Sequence, residues 1–270
     1  MKSFYCVNFL FIMVTLAACA GAGKNNLPAD PSIPGPHSIS SWQIQYTGVI
    51  DPTLDVKVFN LDLFDTSIEI ISDLHQHGVF VQCYFSAGSY EDWRPDAPDY
   101  PEEVLGKKLE GWPGEKWLDI RRQELLQPIL ENRLDLAHNK GCDGVDPDNV
   151  DGYLNDTGFP LTADDQLTFN RFLSQSARSR GLAIGLKNDL DQATELAPDF
   201  DWIISEECFY YQECDLLQPF LDQGKPVFVI EYELTPDEFC PQANQLGIKA
   251  LYKNWVLDSY RVDCRQYSGE

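Results

Sequence analysis

The feature that most constrains this chain is a rhythm. Short β-branched and aromatic runs alternate with segments of helical period from about residue 42 to the C-terminus. The strand candidates are residues 42–46, 56–61, 80–85, 144–146, 183–186, 202–204, 227–231 and 250–252. Runs such as Phe228-Val229-Ile230 and Trp202-Ile203-Ile204 are continuously apolar, as strands covered on both faces must be. The intervening helices mark their own ends. Residues 67–77 place Ile70, Ile71 and Leu74 on one face and stop at Gly78. Residues 162–180 open with Thr162 as N-cap and Asp165 three positions on, carry Phe169, Phe172, Leu173 and Ala177 in one stripe, and close at Gly181. Thr235-Pro236-Asp237-Glu238 reads as a capping box with proline at the first helical position. Eight strands alternating with helices predict an α/β fold, a (β/α)8 TIM barrel in a single domain over residues 38–270. A doubly wound sheet would share the alternation but needs a phosphate-cradling glycine loop after its first strand, and residues 42–48 supply none.

Ahead of the barrel, Lys2 and an apolar run over residues 4–16 lead into Leu16-Ala17-Ala18-Cys19. The run is too short to span a bilayer and ends in small residues, so residues 1–18 are expected to be a signal peptide of the lipoprotein type. Cys19 would carry the lipid, and residues 19–37, with abundant Pro, Gly, Ser and Asn, would form a flexible tether. An ordinary cleaved signal with secretion is the alternative. The expected location is the bacterial cell envelope, at the outer membrane or cell surface; Ala20 after the lipidated cysteine favours the outer membrane. Membrane contact is expected only through the anchor, and the protein is expected to be a monomer.

With Cys6 in the signal and Cys19 lipidated, six cysteines remain for an oxidising compartment. Their spacing does not resemble a zinc ribbon, and the expected disulfides are Cys208–Cys214, Cys240–Cys264 and Cys83–Cys142. The formal charge is −23, and loss of Lys2 with the signal leaves 19 basic against 43 acidic residues, or −24. That balance excludes nucleic acid as a partner and favours attraction of a cationic substrate. The four histidines fall in the tether or on expected helices, so no His-ligated metal is expected, although an oxygen-only Ca or Mg site stays open. No cofactor motif is present.

In a barrel, chemistry belongs to the C-terminal strand ends. Strand two runs into Asp62, strand three into Tyr84, strand four into Asp146 and Asp148, and strand five into Lys187 and Asn188. Strand six runs into Glu206 and Glu207, strand seven into Glu231 and Glu233, and strand eight into Tyr252 and Lys253. Carboxylates thus crowd one rim. Acids sharing a cleft raise one another's pKa, so that one stays protonated while another is ionised, which is the pairing glycoside hydrolysis requires. Aromatic residues accompany them, and Tyr84, Tyr153 and Tyr252 are the expected sugar platforms because they follow strands. The plainer readings are a turn at Asp146-Pro147-Asp148-Asn149 and a helix N-terminus at Glu206-Glu207.

Taken together, the string from Gly141 to Tyr153 with Asp146-Pro147-Asp148-Asn149 at its centre, Gly185-Leu186-Lys187-Asn188, Glu206-Glu207-Cys208 and Glu213-Cys214 resemble glycoside hydrolase family 114. The resemblance runs from about Trp42 to Cys264 and departs from the commonest pattern at Ser205, which replaces an asparagine. It implies a TIM-barrel endo-α-1,4-polygalactosaminidase acting on a cationic amino-sugar polysaccharide. Asp148 is then the nucleophile and Glu206 the acid/base, with Asp146 and Glu207 as neighbours that tune or position them. Lys187 and Asn188 orient the sugar or the nucleophile, and Asp62 and Tyr84 line the pocket. Tyr153, Glu231 and Tyr252 complete the expected substrate contacts. Retention of anomeric configuration is expected. The alternatives are a polysaccharide deacetylase or other amino-sugar hydrolase, and a non-catalytic surface lipoprotein that binds cationic polysaccharide.

Overall fold

The computed structural model describes residue 39 and residues 41–267, so the expected signal, Cys19 and the tether lie outside the described residues. Twelve strands follow in chain order: β1 (Trp42–Gln45), β2 (Val58–Asp62), β3 (Phe80–Ser86), β4 (Ser89–Glu91), β5 (Leu105–Lys108), β6 (Glu115–Leu118), β7 (Gly144–Asp148), β8 (Ala183–Lys187), β9 (Trp202–Glu206), β10 (Val227–Glu231), β11 (Lys249–Lys253) and β12 (Arg261–Asp263). Eight of them, β1, β2, β3, β7, β8, β9, β10 and β11, pair in parallel in that order. Each coincides with a sequence-predicted run to within two residues. The largest C-terminal extensions, at β7 and β9, add Pro147-Asp148 and Ser205-Glu206, polar residues whose types do not advertise a strand.

The α/β barrel is TIM-like, a single domain and nearly closed, as expected, although a helix does not follow every strand. Six α-helices are present among the described residues: α1 (Ile68–Gln76), α2 (Gln123–Lys140), α3 (Ala163–Ser179), α4 (Ala193–Leu196), α5 (Gln218–Asp222) and α6 (Pro236–Leu246). None separates β1 from β2, and after β11 the chain returns as the antiparallel β12. No strand ladder among the described residues joins β1 to β11. Instead the seam is crossed by the Tyr46 amide donating to the Leu257 carbonyl at 2.8 Å, Lys253 Nζ to Gln43 Oε1 at 3.1 Å and Ser41 Oγ to Asp263 Oδ2 at 2.6 Å. The Ile44 amide donates to Gln43 Oε1 at 3.1 Å and Arg261 Nη1 donates to the Trp42 carbonyl at 2.6 Å, so side chains and a loop carbonyl satisfy backbone groups that a closing ladder would otherwise pair.

The helix ends behave as their sequences dictate. Ser67 caps α1, Thr162 and Asp165 form the reciprocal box of α3, and Thr235 with Glu238 does the same for α6. Helix α2 is marked only at its end, by Gly141 at φ 88°: its apolar stripe is weak, no side chain caps its start, and Pro128 lies within it.

Strand residues alternate between the barrel interior and the helix layer. Val145, Ile184, Leu186, Ile203, Val227, Val229, Ala250 and the partly buried Tyr252 face outward into one core with Ile71, Phe169, Leu173 and Phe239. Trp42, Val58, Phe80, Ala183, Trp202, Ile204, Phe228 and Ile230 form a second core inside the barrel. Trp202 is fully buried there, and only glycines can face it: a Cβ on Gly185 would lie 2.0 Å from its ring nitrogen and one on Gly144 2.6 Å from its ring edge. The interior is therefore apolar at the bottom and changes to Asn60, Gln82 and Asp146 above, in the same inward parity.

All three expected disulfides are present, Cys83–Cys142, Cys208–Cys214 and Cys240–Cys264. They belong to an oxidising, extracellular setting. One feature was not anticipated: residues 87–122 leave the barrel after β3 and build an antiparallel sheet in the order β4-β6-β5. It docks against the end of β7, where the Ala87 and Gly88 amides both donate to the Asp148 carbonyl, at 2.9 and 3.1 Å. Gly88 is obligatory at that junction, because a Cβ would sit 1.7 Å from the Asn149 carbonyl oxygen.

Candidate active site

A cleft of about 660 Å³ opens at the C-terminal ends of the barrel strands. Asp148, Lys187 and Glu206 are the terminal residues of β7, β8 and β9, each in the inward parity. The adjacent strands therefore carry the three side chains to one point. Lys187 Nζ donates to Asp148 Oδ1 at 3.1 Å and to Glu206 Oε2 at 2.5 Å. Those two oxygens are consequently no more than 5.6 Å apart, the sum of the two distances.

Each partner is further restrained. Asp148 Oδ1 also accepts the Asn149 amide at 2.8 Å, and Asn149 holds a left-handed φ of 59°. No donor among the described residues reaches Asp148 Oδ2. The Asn149 side chain donates to Ser86 Oγ at 2.9 Å and Ser89 Oγ at 3.1 Å, so the insertion fixes the turn behind Asp148. Glu206 Oε1 accepts the Tyr232 hydroxyl at 2.6 Å, and the Glu206 amide donates to Asn188 Oδ1 at 3.0 Å. Burial alone would raise the Glu206 carboxyl, but the Lys187 charge and these hydrogen bonds outweigh it and hold the group below its ordinary range. Burial likewise opposes the Lys187 charge, and Asp148, Glu206 and Asp146 overcome that and keep it protonated.

Asp146 lies one inward step below Asp148, fully buried, with Oδ2 accepting from Asn60 at 2.9 Å and Oδ1 unpartnered. Burial pushes its carboxyl up to about 7, against the opposing pull of Lys187. Tyr46 donates to the same Asn60 at 3.0 Å and packs against Tyr84 with ring centres 4.4 Å apart.

Of the sequence-predicted residues, Asp62, Tyr84, Asp148, Lys187, Asn188 and Glu206 line the cleft. Asp146, Tyr153, Glu207, Glu231 and Tyr252 are not among its lining residues. Period two explains two of these. Glu231 has the outward parity of Val227 and Val229, is fully buried, and accepts the Phe209 amide at 2.9 Å; Tyr252 packs on the outer core. Tyr153 is tied to Asp189, the buried residue after the β8 turn. Glu207, at φ 61°, is buried, and its carboxyl is raised by burial and by the Glu233 and Glu206 charges. Asp62 lines the cleft, but Arg94 grips both its oxygens, at 3.1 and 2.7 Å, and the Phe64 and Asp65 amides take Oδ1 as well.

The same parity would have revealed Tyr232, which continues Phe228 and Ile230 inward and was missed. Tyr232 stacks on Trp255, with ring centres 4.2 Å apart and planes 15° apart. Trp93, from the insertion, also lines the cleft. The other missed residues, Glu91, Arg94 and Glu115, all come from the unanticipated sheet and its loops, for which a barrel pattern carries no signal.

The arrangement presents two carboxyls across a small gap, one lysine between them, and aromatic rings in the cleft lining. The model of glycoside-hydrolase family GH114 matches residues 23–269. The chain is similar to the crystal structure of Aspergillus fumigatus Ega3 in complex with galactosamine, with 40% identity and a TM-score of 0.79 over 83% of this chain and 94% of that one. The glycoside hydrolase domain of PelA from Pseudomonas aeruginosa shares the fold at 15% identity, with a TM-score of 0.65 over 83% of this chain and 98% of that domain. No curated protein matches the chain.

Proposed function

This chain belongs to glycoside hydrolase family GH114, and we propose that it cuts α-1,4-linked, galactosamine-containing cationic polysaccharide internally and with retention. Asp148 is the nucleophile and Glu206 the acid/base. The observation that carries the reading is Lys187 held between the two carboxyls, whose nearest oxygens are within 5.6 Å. That bound suits the separation of about 5–5.5 Å used for retention and falls short of the ~6.5 Å or more that leaves room for an inverting water. The likeness to Ega3, a structure that holds galactosamine, supports the sugar assignment.

Asp148 Oδ2, free of donors, attacks the anomeric carbon while protonated Glu206 gives its proton to the leaving oxygen. Esterification removes the Asp148 charge, so Lys187 then acts on Glu206 alone and deepens its preference for the carboxylate. Glu206 thereby changes from acid to base and takes a proton from the water that opens the ester. Because Glu206 must be protonated at the outset and its pKa is held low, kcat/KM is present below that pKa and lost above it. The pH optimum is accordingly acidic.

The lipid anchor on Cys19 and the monomeric state belong to the same proposal.

Incubation with de-N-acetylated α-1,4-galactosamine polymer tests the function, with products read by mass spectrometry and NMR. Shortened oligomers with α-configured galactosamine at the new reducing ends are expected. A β-anomer as first product rejects retention, acetate without shortening indicates a deacetylase, and binding without cleavage indicates a lectin-like role.

A further inference from the structure

The insertion wall of the cleft buries three carboxylates, Asp62, Glu91 and Glu115, exposed by only 5, 2 and 6%. Two of them are neutralised within the protein. Arg94 reaches Asp62 at 2.7 Å and Glu91 at 2.8 Å, and Arg133 lies 3.7 Å from Glu91. Glu115 has no ion-pair partner among the described residues. Its Oε2 accepts the Ser89 hydroxyl at 2.7 Å, and no donor among the described residues reaches Oε1. A buried carboxylate without a cation is costly to ionise, and burial pushes this one up to about 7, with Glu91 and Asp148 adding to the rise and Ser89 and Arg94 opposing it, so in the acidic range it stays protonated until a cation arrives. A partner from outside would remove that cost.

The surroundings define what such a partner looks like. Ser89, which holds Glu115, also accepts from Asn149, the residue whose amide donates to Asp148, so Glu115 is built into the scaffold of the nucleophile. Trp93 is half exposed in the same wall and packs against Gly114, the residue before Glu115, so closely that a Cβ there would lie 3.0 Å from its ring. A flat ring beside a carboxylate fits a sugar with an apolar C–H face and a cationic substituent.

We propose that Glu115 is the specificity residue for the free amine: its Oε1 receives the ammonium of a galactosamine unit seated against Trp93 on the insertion side of Asp148. The inference rests on the galactosamine reading above and deepens it. An N-acetylated unit brings a bulkier, neutral group that cannot discharge Glu115, so the site selects the deacetylated sugar.

The test measures cleavage and calorimetric binding of fully deacetylated and N-acetylated galactosamine oligosaccharides by wild type and E115Q, which keeps shape and a partner for Ser89. E115Q is expected to lose about 10- to 100-fold in kcat/KM and in affinity for the deacetylated oligosaccharide, the range of a charged hydrogen bond, and to leave the acetylated one within about threefold. Unchanged preference in E115Q overturns the proposal while leaving the hydrolase reading intact. Ammonium-dependent binding that is lost in E115Q, without cleavage by wild type, upholds Glu115 and rejects the hydrolase reading; absence of both binding and cleavage rejects both. Should E115Q not fold, the structure of wild type with a galactosamine oligosaccharide reads the same point. An amine nitrogen about 2.7–3.1 Å from Glu115 supports the assignment, and amines all turned away from it overturn it.

Discussion

Two acid-base clusters stand side by side at the top of this barrel, and they are built from nearly the same charges. In one, Lys187 lies between Asp148 and Glu206; in the other, Arg94 lies between Asp62 and Glu91. The difference is the cation. Arg94 presents a planar fork that engages both oxygens of Asp62, and two backbone amides add to one of them, so the Asp62 carboxylate is saturated. Lys187 is a point charge that touches one oxygen of each carboxyl and leaves Asp148 Oδ2 without a donor. A saturated carboxylate holds structure; a half-satisfied one retains a lone pair for an incoming carbon. The arginine cluster braces the insertion wall, and the lysine cluster is the one proposed to carry the chemistry.

The sharpest way to break this contrast is to remove the reactive acids. Asp148→Asn should lower kcat by at least about 10⁴-fold with the fold intact by circular dichroism. Glu206→Gln should cost about 10²–10⁴-fold, with partial recovery on substrates whose leaving group needs no proton. Asp146→Asn mimics the neutral acid that burial already favours and should cost less than about tenfold. An inactive D146N beside an active D148N would transfer the nucleophile to Asp146.

Replacing the cation separates the clusters next. Lys187→Met removes the charge that holds Glu206 ionised, so the Glu206 pKa rises and the alkaline limb of kcat/KM moves to higher pH, alongside a loss of roughly 10²-fold. A limb that stays in place would show that Lys187 does not set the acid. Arg94→Ala should act on stability instead. It leaves Asp62 and Glu91 buried and underpaired, at about 3–5 kcal/mol, visible as a lower urea midpoint. If the arginine cluster is mainly structural, the folded fraction keeps most of its turnover.

The smallest expected effect is at Tyr232. Tyr232→Phe deletes one hydrogen bond that favours ionised Glu206, so the alkaline limb shifts up slightly and kcat falls by less than about tenfold. A purely packing role for Tyr232 would leave the limb where it is.

Much of this was legible in the chain because it obeys short-range rules. Strand cores are apolar runs, helix ends carry caps and glycines, and the residues at strand C-termini are where a barrel puts reactive groups; Asp148, Lys187 and Glu206 stood among the strand-end residues on those rules, and the family resemblance singled out Asp148 over Asp146 and Glu206 over Glu207. The errors came from stopping at the strand end without counting parity. Glu231 and Tyr252 end strands as Glu206 does, but they point outward, whereas Tyr232, one residue beyond Glu231, points in.

What the sequence alone determined is local and periodic: eight parallel strands, the capped helices, the disulfide partners and the rim on which the acids gather. What only the tertiary structure decided is long-range. The closure of the barrel by loop carbonyls in place of a ladder, the sheet of residues 87–122, and the assignment of one cation to each cluster all depend on residues distant in the chain. Asp62 meets Arg94 across 32 positions and Asp148 meets Lys187 across 39. Periodicity states which way a side chain points, but which charge it meets there is set by packing among elements, and no local pattern in the chain encodes that choice.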